Sequence, residues 1–186
     1  MKLGVKDIIH IALFAALTAV GAFLKIPVPV VPFTLQVFFV GISGVLLGPV
    51  KGALSQFLYV ALGLSGLPVF TQGGGLSYIF NPTFGYLVGF IAGAYITGFI
   101  CEKMKEKTTF KIFLSIMAGL AVIYIAGVSY LFLINNLYLG KNLSLWMAVY
   151  YGFILCIGGD VVSSYLGAIL CKRLIPVIRK HIEIKA

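Results

Sequence analysis

Of the five acidic residues in this 186-residue chain, Asp160 alone falls inside a long apolar stretch. It lies twelve residues before Lys172, roughly 18 Å along a helix axis, which is near the middle of a bilayer if that stretch crosses one. A carboxylate at that depth costs at least a few kcal/mol and must face the interior of a bundle with a partner. Gly158 and Gly159 precede it, and Ser163 and Ser164 follow one helical turn later. The glycines leave the backbone open to close approach, either by a ligand or by another helix. The serines bring hydroxyls within reach of the carboxylate. The chemistry available is a hydrogen bond between helices, recognition of a polar ligand, or a proton relay. No second intramembrane charge is present to pair with Asp160, which favours the ligand or proton roles.

Three other polar features stand out. Residues 65–81 carry no charge, contain Gly66 and the run Gly73, Gly74, Gly75, and interleave Phe70, Tyr78 and Phe80. A solvated loop would carry charges, and irregular backbone at membrane depth is tolerated only when buried or lining a cavity. The segment is therefore expected to be a folded-in lid or wall. It is no phosphate-binding loop, because the Lys that such a loop needs is absent. Asn81-Pro82-Thr83 reads as a helix start, with Asn81 as cap and Pro82 at the first position. The Asn81 amide offers a donor and an acceptor to a ligand as an alternative role. Pro27, Pro29 and Pro32 hold the connection after Lys25 extended as a strap over the bundle. Thr34 and Gln36 then place polar groups at the start of the next apolar segment. Gln36 fits an interhelical bond as well as a ligand contact.

The elements that must position these groups follow from composition. The chain is 61% hydrophobic and 10% charged, with mean hydropathy +1.09, whereas a soluble domain carries about a quarter charged residues. Apolar segments at 8–24, 33–47, 50–64, 83–101, 110–135 and 143–171 predict a single all-α transmembrane domain spanning 1–186, with six helices. Gly48-Pro49 separates the short second and third segments. The first segment is preceded by Lys2 and Lys6 but is too long for a signal peptide, so it is read as an uncleaved helix. With the N-terminus cytoplasmic, twelve Lys and Arg fall inside and only Lys25 and Lys141 fall outside. That asymmetry sets an orientation with both termini cytoplasmic and agrees with an even number of crossings. Trp146, Tyr150 and Tyr151 then fall at the outer interface. The basic and apolar tail 175–185 is expected to lie on the inner surface, held by anionic lipid. Ala12, Ala15, Ala16 and Ala19 give the first helix a small-residue face for close helix approach, within the bundle or against another protein.

The same distribution excludes several functions. The net charge of +9 is dispersed among short connections, with no nucleic-acid-reading module, so no nucleic-acid partner is expected. Cys101, Cys156 and Cys171 are isolated and are expected to be free thiols, and no metal-ligand spacing occurs. No nucleophile–base pair or di-carboxylate site is present, and His10 and His181 lie near the ends of their segments, so no enzyme is expected.

The strings PVPVVPFTLQ, LLGPVKGALSQFLYVALGLSGLPVF, NPTFGYLVGF and GGD closely resemble the BioY family, in the same order from first helix to last. These are the biotin-specific S components of energy-coupling factor (ECF) vitamin transporters. The resemblance implies a six-helix plasma-membrane subunit that binds biotin from the extracellular side and needs no cofactor of its own. It implies partners too: a transmembrane T component and two ATPase subunits, which alone would use ATP, with the alanine face resembling the docking surface. It further implies that Asn81 and Asp160 face the ureido ring of biotin, with aromatic walls such as Phe70 and Phe80 around the rest. The family pattern departs at Ser163, where many relatives carry Lys. Either backbone N–H groups and hydroxyls, with Thr34, Tyr86 and Tyr95 as candidates, then hold the biotin carboxylate, or it reaches toward solvent. An S component for another vitamin, or a stand-alone proton-coupled carrier using Asp160, are the alternatives.

Overall fold

The computed structural model describes residues 3–27 and 30–183, the side chains of 177–183 excepted. Lys2, Pro29 and the end of the basic tail at Lys185 lie outside the described residues. Every long element is helical: α1 Val5–Phe23, α2 Gln36–Leu64, α3 Phe84–Lys103 and α4 Thr109–Leu137. A last run follows, in which α5 Leu145–Val149 passes through a π-helical turn Tyr150–Ile154 into α6 Leu155–Glu183. Thr108 caps α4 through the Lys111 N–H at 3.3 Å, and Ser144 caps α5 through the Met147 N–H at 3.2 Å. At the opposite end to the cavity described below, Lys51 and Asp7 form an ion pair at 2.5 Å that ties α1 to α2.

Among the described residues, five helices are long and apolar enough to cross a membrane, one fewer than the sequence reading expects. The difference lies in the segments 33–47 and 50–64, which join in the single helix α2. Pro49 opens the first turn of the second arm, where its missing N–H forfeits no bond, so the second arm starts directly after the kink at Gly48. The chain reverses there. Gly48 has φ 80° and ψ 178°, a backbone conformation that glycine reaches without a Cβ clash. Gln56 Nε2 donates to Ser43 Oγ at 3.1 Å, and Gln36 Nε2 to Tyr59 OH at 2.9 Å. Along a straight helix the last pair would stand about 35 Å apart. The two arms of α2 are therefore folded against each other.

α3 packs between α2 and α4, the helices it touches most extensively. Lipid gives no hydrophobic drive to bring helices together, so contact rests on small residues that let backbones meet. Gly44 on α2 presses against Ala94 and Thr97 of α3, and Gly119 on α4 against Thr97 and Gly93. The buried core divides along the bundle. Phe14, Ile42, Val45, Ile112 and Ile116 fill the Lys51 end, while Tyr59, Phe70, Tyr78, Tyr86, Phe90 and Tyr124 gather toward the other.

The remaining chain covers that aromatic end. Lys25–Ile26 (β1) pairs antiparallel with Phe33–Thr34 (β2), Lys25 opposite Thr34, so the chain on either side of the proline segment forms a small hairpin. Residues 65–83 fold inward, with a bridge between Phe70 and Gly73 and a 3₁₀ turn at Leu76–Phe80. The expected lid is thus a packed element: Phe70 is buried against Tyr59 and Tyr78.

The small-residue face of α1 splits. Ala15 is buried and Ala19 half-buried against the bundle, so Ala15 is no part of an outward surface. Ala12 and Ala16, on the other side, are exposed.

Candidate functional site

Beneath the hairpin and the lid lies a cavity of about 550 Å³, counted out to its mouth. Ligand sites for small molecules are mostly apolar with a few placed polar groups. Its walls come from six places: Val31–Thr34 of the hairpin, Gln36 and Val37 of α2, and Thr71 and Tyr78 of the lid, with Thr83, Tyr86, Leu87 and Phe90 at and within α3, Ile123 and Tyr124 of α4, and Gly152, Cys156 and Asp160 of the last run.

Most polar groups on these walls are already committed. Thr34 Oγ1 donates to Gln36 Oε1 at 3.0 Å, Gln36 Nε2 to Tyr59 OH at 2.9 Å, and Tyr59 OH to the Val69 carbonyl at 3.0 Å. This chain of bonds links the hairpin, both arms of α2 and the lid. Tyr86 OH donates to the Gly152 carbonyl at 2.7 Å, which joins α3 to the π-helical turn. A second chain runs through the lid. Thr83 Oγ1 donates to Asn81 Oδ1 at 2.8 Å, so Tyr78 OH donates to Thr83 at 3.1 Å and Thr71 Oγ1 to Tyr78 at 3.0 Å.

Asp160 differs. It is 4% exposed, and its Oδ2 accepts a hydrogen bond from Tyr124 OH. Its Oδ1 is buried at the cavity wall with no hydrogen-bond partner. Buried polar atoms are nearly always satisfied, and one left alone at a cavity wall marks a place for a donor. The partner that the sequence reading lacked is a phenol rather than a charge. A buried tyrosine needs a partner for its hydroxyl, and that requirement was the available signal for Tyr124. Gly159 lies against the Phe33 ring, and Gly158 faces open space, so only the first serves close packing.

The structure brings Thr34, Gln36, Tyr86 and Asp160 together around the cavity and leaves the other sequence candidates off its lining. Asn81 closes the 3₁₀ turn, and α3 starts only at Phe84 with Thr83 as its N-cap. The expected cap at Asn81 with Pro82 in the first position therefore falls ahead of the helix. Asn81 Oδ1 accepts from the Thr83 N–H at 3.0 Å and Nδ2 donates to Gln72 Oε1 at 2.9 Å. Phe70 stands behind the wall, supporting Tyr78. Phe80 is 48% exposed and stacks on Tyr138 outside. Tyr95 is 42% exposed and stacks on Phe99, because nine residues at 3.6 per turn carry it half a turn away from Tyr86. Ser163 Oγ turns back to its own helix and donates to the Asp160 carbonyl at 3.0 Å. Sequence reasoning missed Tyr124, Tyr78, Thr83, Thr71 and Cys156 as lining residues.

The BioY family model matches residues 1–180 of this chain. A probable biotin transporter BioY of Lysinibacillus sphaericus is 45% identical over 180 residues, covering 96% of this chain and 91% of the relative. A biotin transporter BioY of Thermotoga maritima is 40% identical over 171 residues, covering 91% and 95%. The solved S-component for biotin from an ECF-type ABC transporter superposes with a TM-score of 0.80 at 27% identity, covering 91% of this chain and 90% of that one. With the match running the whole length of the bundle that builds this cavity, the chain is a multi-pass membrane protein and belongs to the BioY family.

Proposed function

We propose that this protein is the biotin-capturing S component of an ECF-type vitamin transporter. The observation that carries the reading is Asp160 Oδ1, an unpartnered acceptor in a cavity otherwise walled by aromatic and aliphatic side chains. A cyclic urea presents N–H donors flanking one carbonyl acceptor. One urea N–H completes Asp160, and a second partner is needed for the carbonyl. Asn81 is the candidate: Nδ2 has spent one hydrogen on Gln72, and its amide is one bond from the cavity through Thr83. The rings and aliphatic chain of biotin suit Phe33, Tyr86, Phe90 and Tyr124.

The two arms of α2, with Gly48 at their turn, each count as one crossing in this reading. Six crossings then place both termini with the Lys-rich end in the cytoplasm and the cavity outside. No nucleotide-binding motif occurs in the chain, so energy must come from other subunits, the T component and two ATPases. Their docking surface is the exposed side of α1 around Ala12 and Ala16. Ala16→Leu is accordingly expected to leave biotin affinity unchanged and to abolish co-purification with the T component. Normal assembly would remove that face from consideration.

The reading as a whole is tested by calorimetric titration of biotin into ligand-free protein in detergent, with thiamine and riboflavin as controls. One-to-one binding of biotin alone is the expected result. Binding of a different vitamin would reassign the substrate, and uptake driven by a pH gradient without ATPases would favour a carrier acting alone.

A further inference from the structure

Of the hydroxyls expected to hold an anionic end of the ligand, Tyr95 stacks on Phe99 away from the cavity and the others are occupied, as is the Ser163 hydroxyl. Thr34 donates to Gln36, Tyr86 donates to Gly152, and Ser163 donates to its own helix away from the cavity. One cation stands next to the cavity. Lys25 lies on β1 directly opposite the lining residue Thr34, and its Nζ donates at 2.7 Å to the carbonyl of Thr71, also a lining residue. The other basic side chains among the described residues sit elsewhere. Lys141 is on the α4–α5 connection, which contributes nothing to the cavity, and the rest belong to the Lys51 end.

We propose that Lys25 is a specificity-determining residue that reads the carboxylate of the ligand at the cavity mouth. An ammonium has three donors, and the Thr71 carbonyl uses one of them. The carbonyl anchors the amine at the junction of hairpin and lid, where a chain emerging from the aromatic cavity would end. Lys25 is exposed, so its remaining donors are held by water and are exchanged for a carboxylate without stranding a buried charge. Placing the anion beside the Lys25–Thr71 contact also ties the ligand to both covering elements. The family pattern with Lys three residues after the Asp is thereby replaced, in this chain, by a cation delivered from the hairpin.

This inference rests on the biotin reading, and the test separates the two. Biotin and its neutral primary amide share every group except the carboxylate. The full-length protein is expected to bind biotin about threefold more tightly than the amide, the contribution of one ion pair at an exposed site. Lys25→Met should lower biotin affinity to that of the amide while leaving amide affinity as it was, and Lys25→Arg should restore the preference. The preference in the native protein should shrink as salt is raised, because the pair is exposed. If Lys25 serves only as a latch to Thr71, Lys25→Met weakens both ligands equally, and the proposal is overturned. A preference that survives in Lys25→Met, or that is absent from the native protein, overturns it as well. Failure of the folded, ligand-free protein to bind either compound removes the biotin reading and this inference with it.

Discussion

Asp160→Asn is expected to weaken biotin binding by at least about a hundredfold while the protein remains folded. The carboxylate has two jobs at once. Oδ2 accepts from Tyr124 OH, and Oδ1 waits without a protein partner at the cavity wall. An asparagine has one acceptor and one NH₂ group for these two positions. If its oxygen stays with Tyr124, the amide hydrogens point at the N–H of the urea, donor against donor. If the amide flips, the ligand gains a neutral acceptor, and Tyr124 loses the group it donates to. Either way a buried polar group is stranded, in a place where water cannot relieve it. Folding should not suffer, because a carboxylate at this depth is itself costly and the substitution removes it. The measurement is titration calorimetry beside a melting curve. Unchanged affinity in a variant that melts like the native protein would sink the site. A variant that fails to fold would instead assign Asp160 to the framework.

The position of Asp160 was legible in the sequence because a lone charge in an apolar stretch has few explanations. Its partner was not. Tyrosine is common at membrane boundaries, and nothing in the spacing of Tyr124 says that its helix turns it toward residue 160, 36 positions away. Gln36 and Thr34 stood out as polar groups at the entry to an apolar helix, and the structure places both on the cavity wall, with Gln36 also making the bond to Tyr59 that joins the two arms of α2. Tyr95 was misplaced because hydroxyls were counted without following the turn of α3 from Tyr86. Phe80 was misplaced because the 3₁₀ turn at Leu76–Phe80 sends Tyr78 inward and Phe80 outward, a choice that alternation in the sequence does not decide.

The outer ends of the helices were read to within about three residues, since twenty apolar residues leave little choice of structure in lipid. The exception is α6, which runs on to Glu183 through the tail expected to leave the bundle after residue 171. The second helix was harder. The sequence marks a break at Gly48-Pro49, and the backbone turns back there, so α2 is two helical arms that meet at a kink. The last segment hides a π-helical turn whose Gly152 carbonyl meets Tyr86. No periodic pattern announces it, because it adjusts a single turn within an apolar run. The alanines of α1 show the limit of composition most directly. Their spacing gives a smooth surface, and only the packed bundle says that Ala15 faces in and Ala16 out.

Gly44→Val is expected to be among the most damaging substitutions in the protein, though it adds only apolar atoms and lies far from any loop. A Cβ at residue 44 would stand 2.5 Å from the Ala94 carbonyl oxygen, 2.9 Å from Thr97 Cβ and 3.2 Å from the Gly98 nitrogen. Two of these three are backbone atoms of α3, which no rotamer change can move aside. From the other side, the folded-back arm of α2 brings Gly52 so close that its own Cβ would meet Gly44 Cα at 3.0 Å. Gly44 is therefore the point where both arms of α2 and the middle of α3 converge. Relief requires the helices to separate, and in lipid that forfeits the packing which holds them together. Overpacking of this kind costs about 3 kcal/mol or more, which for a chain of this size lowers the melting temperature by about 10 °C. Gly158 supplies the control. Its Cβ would meet nothing within 4 Å, so Gly158→Ala should melt with the native protein. The two variants are compared by thermal unfolding in the same detergent. A Gly44→Val protein that melts within about 2 °C of the native one would mean that the α2 turn and α3 are not packed backbone to backbone.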